Sequence, residues 1–88
     1  MNSITRVAIR FRGTVWSLPR PNRHHNVIRH IAESTGVSHV DARERDQGFL
    51  DQEGRYLDRK EALHVAREAG QLRADVPVQD QLYSENLW

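Results

Sequence analysis

Residues 4–12 set the first constraint on the fold. Val7, Ile9 and Phe11 occupy alternate positions, and Arg6, Arg10 and Arg12 fall on the opposite side together with Ala8. A period of two puts the apolar residues on one face of an extended chain, so this segment reads as a half-buried strand. Gly13 follows, and then Thr14-Val15-Trp16-Ser17-Leu18, which is rich in strand formers. A hairpin turning near Arg12-Gly13 is expected. Pro19 ends it, because proline cannot donate to a sheet ladder.

The period then changes. Val27, Ile28, Ile31 and Ala32 recur at helical spacing. They predict a helix over about 23–35, with Asn22 as N-cap and Gly36 at the left-handed position after its end. Residues 37–46 show no clear periodicity and read as loop with at most one short turn. Gly48-Phe49-Leu50 and Tyr56-Leu57 flank a polar connection containing Gly54, the pattern of a second hairpin. Asp58 caps a second helix, with Glu61 completing a capping box and Leu57 and Ala62 in the staple positions. Ala62, Leu63, Ala66 and Ala69 give that helix a narrow, small-residue face, and Gly70 ends it.

The order strand-strand-helix occurs twice, without a detectable sequence repeat. We therefore expect an α+β domain over residues 1–88, arranged β-hairpin–helix–β-hairpin–helix. Leu82, Tyr83, Leu87 and Trp88 crowd the last seven residues. A segment that stays disordered rarely carries so many apolar groups, so an aromatic tail packed on its own domain or on a neighbouring subunit is expected. Eighty-eight residues suffice for one domain, and a domain so small buries little of its surface, which keeps homo-oligomerisation open.

Charge is unevenly spread. Residues 1–32 hold six arginines and no acid, whereas residues 33–88 hold twelve acids against seven lysines or arginines. One end should attract anions and the other repel them. Arginine accounts for twelve of the thirteen cations, and its planar fork suits phosphate, although coding bias produces the same ratio. The absence of cysteine excludes a disulfide framework, thiolate zinc sites and a cysteine nucleophile. No apolar run is long enough for a membrane span or a signal-peptide core, so a cytoplasmic location is expected.

The densest chemistry lies in Pro19-Arg20-Pro21-Asn22-Arg23-His24-His25. A stiff loop enters a helix start, where backbone N–H groups lack intrahelical partners, and four basic side chains stand beside it. That combination suits a phosphate or carboxylate. Arg20, Arg23, His24 and His25 are the candidate ligands. Arg59, at the start of the second helix, joins them if both helix starts lie at one sheet edge. His24 falls on the apolar face of its helix, so a core histidine bonded to a backbone carbonyl explains it equally well. Adjacent histidines diverge by about 100° on a helix, which disfavours a shared metal ion, and no cofactor is expected. No serine lies in a nucleophile elbow, and no glycine-rich phosphate loop or paired-carboxylate signature is present. Arginines on a strand could meet single-stranded nucleic acid, but Phe11 points to the opposite, apolar face.

Four segments carry a resemblance: Leu-Pro-Arg-Pro-Asn-Arg-His-His-Asn-Val-Ile (18–28), Gln-Gly-Phe-Leu with Gly-Arg-Tyr-Leu-Asp-Arg-Lys-Glu-Ala (47–62), Ala-Gly-Gln (69–71) and Leu-Tyr-Ser-Glu-Asn-Leu-Trp (82–88). In that order they resemble a family of small proteins carried by tailed phages and prophages. The resemblance implies a phage accessory protein, and such proteins often act against host defence. Three expectations follow by analogy. The first is an anti-defence protein that sequesters a phosphorylated nucleotide-type ligand. The second is a protein–protein inhibitor of a host defence complex, of the anti-CRISPR type. The third is a small phosphoesterase using His24 or His25.

Overall fold

The computed structural model describes residues 2–78 and 80–88, with residue 42 described by its backbone alone. Strand β1 (Ile4–Phe11) pairs antiparallel with β2 (Thr14–Pro19) on one side and β3 (Arg45–Asp51) on the other. Strand β4 (Tyr56–Asp58) pairs antiparallel with β3, giving the sheet order β2-β1-β3-β4. Helix α1 (His24–Thr35) packs on β1 and β2, and α2 (Arg59–Glu68) packs on β3 and β4. The architecture is α+β, a four-stranded antiparallel sheet with two helices.

Local chemistry explains the joints. Phe11 pairs with Thr14, leaving Arg12 (φ 49°) and Gly13 (φ 81°) as a two-residue turn. Positive φ at both centres matches the twist of the flanking strands. In α2, Asp58 accepts from the amides of Lys60 (2.9 Å) and Glu61 (2.8 Å), and Glu61 accepts from the Asp58 amide at 3.1 Å. Helix α1 ends on Gly36 at φ 75°.

Three expectations are corrected. Asn22 does not cap α1. Arg23 holds the cap position, and Asn26 closes the turn by accepting from the Arg23 amide at 2.9 Å. Asn22 turns the other way and donates to the Pro19 carbonyl at 2.8 Å. The second correction concerns 37–46: the one short turn is present, at Ala42–Glu44, but residues 45 and 46 already belong to β3. Arg45 and Gln47 are polar, so their alternation with Phe49 escapes a hydrophobicity reading. The third is Ala8, which lies on the arginine face yet is fully buried. Its methyl group is short, and Arg6, Arg10 and the Tyr56 ring stand around it on that face. Tyr56 can lie there because its ring occupies the place that a side chain on Gly48, the register partner of Ala8, would take.

The core lies between the sheet and both helices. Val7, Ile9, Phe11 and Phe49 face Val27 and Ile31 of α1 and Ala62, Leu63 and Ala66 of α2. Leu82 and Leu87 from the final segment are buried in the same cluster. Gln71 joins the end of α2 to the start of β1. Its side-chain amide accepts from the Ile4 amide at 2.7 Å and donates to the Ile4 carbonyl at 2.9 Å.

Candidate functional site

Register decides where polarity gathers. Phe11, Ile9 and Val7 of β1 pair with Arg45, Gln47 and Phe49 of β3. These β3 residues therefore share the helix-covered face, but only Phe49 is apolar. At the Arg45–Gln47 end the core gives way to a polar patch, and both helix starts lie over it. A cleft of about 320 Å³ opens there, lined by Arg23, His24, His25, Arg59, Tyr83, Ser84 and Glu85.

His24 sits at the base of the cleft and is 7% exposed. Its Nε2–H donates to the Gly48 carbonyl at 2.8 Å, and its ring meets Phe49 edge-on at 5.0 Å. It is thus a carbonyl-bonded core histidine as well as a cleft residue. Burial lowers its pKa to about 4, the Gly48 bond opposes that shift, and the Arg59 and Arg45 charges reinforce it. At neutral pH the ring is uncharged. His25, one residue on, is exposed at the rim.

Arg59 crosses the cleft from the first turn of α2. It donates to the Gln47 side-chain oxygen, and its guanidinium lies over the Tyr83 ring at 4.4 Å. Its Nε is buried and has no hydrogen-bond partner among the described residues, and the same holds for Nη1 of Arg45. Buried guanidinium N–H groups left without acceptors are costly. The amide groups at the start of α2 are not available to an anion, since Asp58 already occupies those of Lys60 and Glu61. Arg59 enters the cleft lining through its side chain.

Arg23 is already engaged. It donates to the Trp88 carbonyl and stands 4.0 Å from the Glu85 carboxylate. Arg20 lies outside the cleft lining, with its guanidinium 5.8 Å from the centre of the Trp88 ring. The Trp88 indole N–H in turn donates to the Asn22 carbonyl at 2.8 Å. Four of the five expected residues, Arg23, His24, His25 and Arg59, therefore share one cleft, and Arg20 braces its outer wall. Among the described residues no group of three His, Asp or Glu side chains is placed to hold a metal ion.

The model of the phage T4 y16D protein family matches residues 3–88. The chain belongs to the phage T4 y16D protein family. The match spans all four segments that carried the phage resemblance. No curated protein and no solved structure matches the chain. Among the described residues no helix is long and apolar enough to cross a membrane.

Within this phage-family chain, several site residues had escaped the reading of the sequence. Arg45 lies within the segment read as loop and Gln47 just after it, and because both are polar, hydrophobicity gives no sign that they share a face with Phe49. Tyr83, Ser84 and Glu85 belong to the tail, whose apolar content announces packing but not the place of packing. Residues 84–86 form a 3-10 turn held by Asn86, which accepts from the Tyr83 amide at 2.8 Å and donates to the Pro77 carbonyl at 3.2 Å.

Proposed function

We propose that this phage-family protein is an anti-defence factor that captures a phosphorylated nucleotide-type ligand in the cleft beside the α1 start, with the aromatic tail (residues 82–88) closing one wall. The observation that carries this reading is the meeting of Arg23, His24, His25 and Arg59 around one 320 Å³ cleft. Such a volume lies at the lower end of small-molecule sites, which run from about 300 Å³ upward. The α1 start and the guanidinium groups favour an anion.

Capture fits this set of groups better than cleavage does. His24 is uncharged at neutral pH and its Nε2 proton is committed to the Gly48 carbonyl, so it has no proton ready for a leaving group. Sequestration requires affinity alone.

Thermal unfolding against nucleotides, cyclic oligonucleotides and ADP-ribose derivatives tests the reading. A ligand at a hundred times its Kd adds about 2.7 kcal/mol, which moves so small a domain by several degrees. One chemical class is expected to produce that shift. His25→Glu is the informative variant, because His25 is exposed and an acid in the first helical turn favours the helix by a few tenths of a kcal/mol. It should abolish the ligand-induced shift and leave the unliganded Tm unchanged or slightly higher. Reversal at Arg23 would confuse the two effects, since Arg23 also anchors Trp88 and Glu85. A flat panel, or an undiminished shift in His25→Glu, overturns the proposal. A flat panel would direct attention to a host protein as target, sought by affinity purification.

A further inference from the structure

Tyr83 is the one large aromatic residue that is left exposed among the described residues, at 44%. It is not loose. Its amide is bonded to Asn86, and the preceding Leu82 is fully buried with its amide donating to the Arg59 carbonyl at 3.0 Å. Its ring has the Arg59 guanidinium against one face at 4.4 Å. Tyr83 lines the same cleft as Arg23 and His25. An aromatic ring backed by a cation on one face can take a second flat group on the other. Stacking of this kind tolerates any nucleobase, since every base has a π face.

We infer that Tyr83 is the base-stacking wall of the cleft, so that the ligand is a nucleotide whose ring lies on Tyr83 while its phosphate turns toward Arg23, His25 and Arg59. This assignment rests on the capture reading above and adds the element that tells a nucleotide from a bare phosphate ester. Arg59 serves both halves, backing the ring with its guanidinium plane and setting its positive charge beside the phosphate. The larger purine ring should stack more strongly than a pyrimidine.

The experiment compares AMP, CMP and ribose 5-phosphate by NMR titration of the full chain. AMP should bind about ten-fold more tightly than ribose 5-phosphate, with CMP between them. Tyr83→Phe should keep that gap. Tyr83→Leu retains apolar bulk but lacks a flat π face; it should close the gap between AMP and ribose 5-phosphate. On the unaltered chain, saturation with AMP should give nuclear Overhauser contacts between the Tyr83 ring and the adenine protons, whatever the folding of the variants. Equal binding of AMP and ribose 5-phosphate overturns the stacking wall and leaves the phosphate reading standing. A gap that survives Tyr83→Leu, or missing ring contacts at saturation, places the base elsewhere and overturns it too. Failure of all three probes to bind overturns the stacking wall, and the capture reading is then decided by the wider thermal-unfolding panel.

Discussion

Gly48 tolerates change less than any other glycine in the chain. A methyl group there would collide with the Leu57 carbonyl oxygen and come within 2.6 Å of the Tyr56 hydroxyl. The first obstacle is backbone, so β4 would have to move away from β3. Gly48→Ala should cost about 3 kcal/mol in urea unfolding, at the upper end of overpacking effects. Two buried titratable groups determine how stability responds to acid. His24 has a folded pKa near 4 against 6.5 in the unfolded chain. Its contribution is therefore complete above pH 6.5 and is lost as the pH falls toward 4, amounting to about 3 kcal/mol. Asp51 is buried in the β3–β4 turn. Burial alone would raise its pKa, but the Arg55 amide, the Asn2 side chain, the Arg55 guanidinium and the Glu53 amide together bring it down to about 2. Its share persists above 3.8 and is lost as the pH falls toward 2. Unfolding free energies measured between pH 7 and pH 2 should fall in these two stages. His24→Phe should flatten the first and leave the second. The sequence marked His24 as a residue between two roles, core or site. The structure shows the core role, with the ring bonded to the Gly48 carbonyl against Phe49, at a position that also lines the cleft.

Among the elements, those held by local chemistry were the most legible. Asp58 and Glu61 announce the start of α2, and their reciprocal bonds are present. Asp58→Ala should therefore destabilise the protein by about 1 kcal/mol in thermal or urea unfolding. Gly13 is similar in kind. Nothing stands within 4 Å of a Cβ built on it, so Gly13→Ala should cost only the left-handed backbone penalty, about 1 kcal/mol or slightly more. Elements specified by distant partners were less legible. Helix α1 begins one residue after the position suggested by Asn22, because the Trp88 indole and the Pro19 carbonyl both draw on Asn22. The first half of β3 gave no signal in hydrophobicity, since its inward positions are Arg45 and Gln47. Gln47 is met on that face by the Arg59 guanidinium, which donates to its side-chain oxygen.

At the scale of the whole molecule, the final segment joins core and cleft. Leu82 is fully buried among β1, α1 and α2 residues, and Tyr83 next to it lines the cleft. Leu82→Ala should cost about 3 kcal/mol in urea unfolding and weaken ligand binding in the same variant. A Tyr83 held independently of the core would show the first effect without the second. The charge asymmetry along the chain is also settled at this scale. Arg10 pairs with Asp46 at 3.1 Å, Arg12 with Glu44, and Arg23 with Glu85. The basic third meets acids of the later chain within one molecule, so half of its arginines are screened before any partner arrives. The sequence by itself determined the α+β class, the turn at Gly13, the α2 cap and the concentration of basic groups around Arg23, because each depends on neighbours within a few residues. Only the tertiary structure decided that Arg59 would reach His24, that Arg20 would serve Trp88 instead, and that Tyr83 would border the cleft. Those outcomes depend on strand register and on where the tail docks, and each joins residues far apart in the chain that no local pattern can bring together.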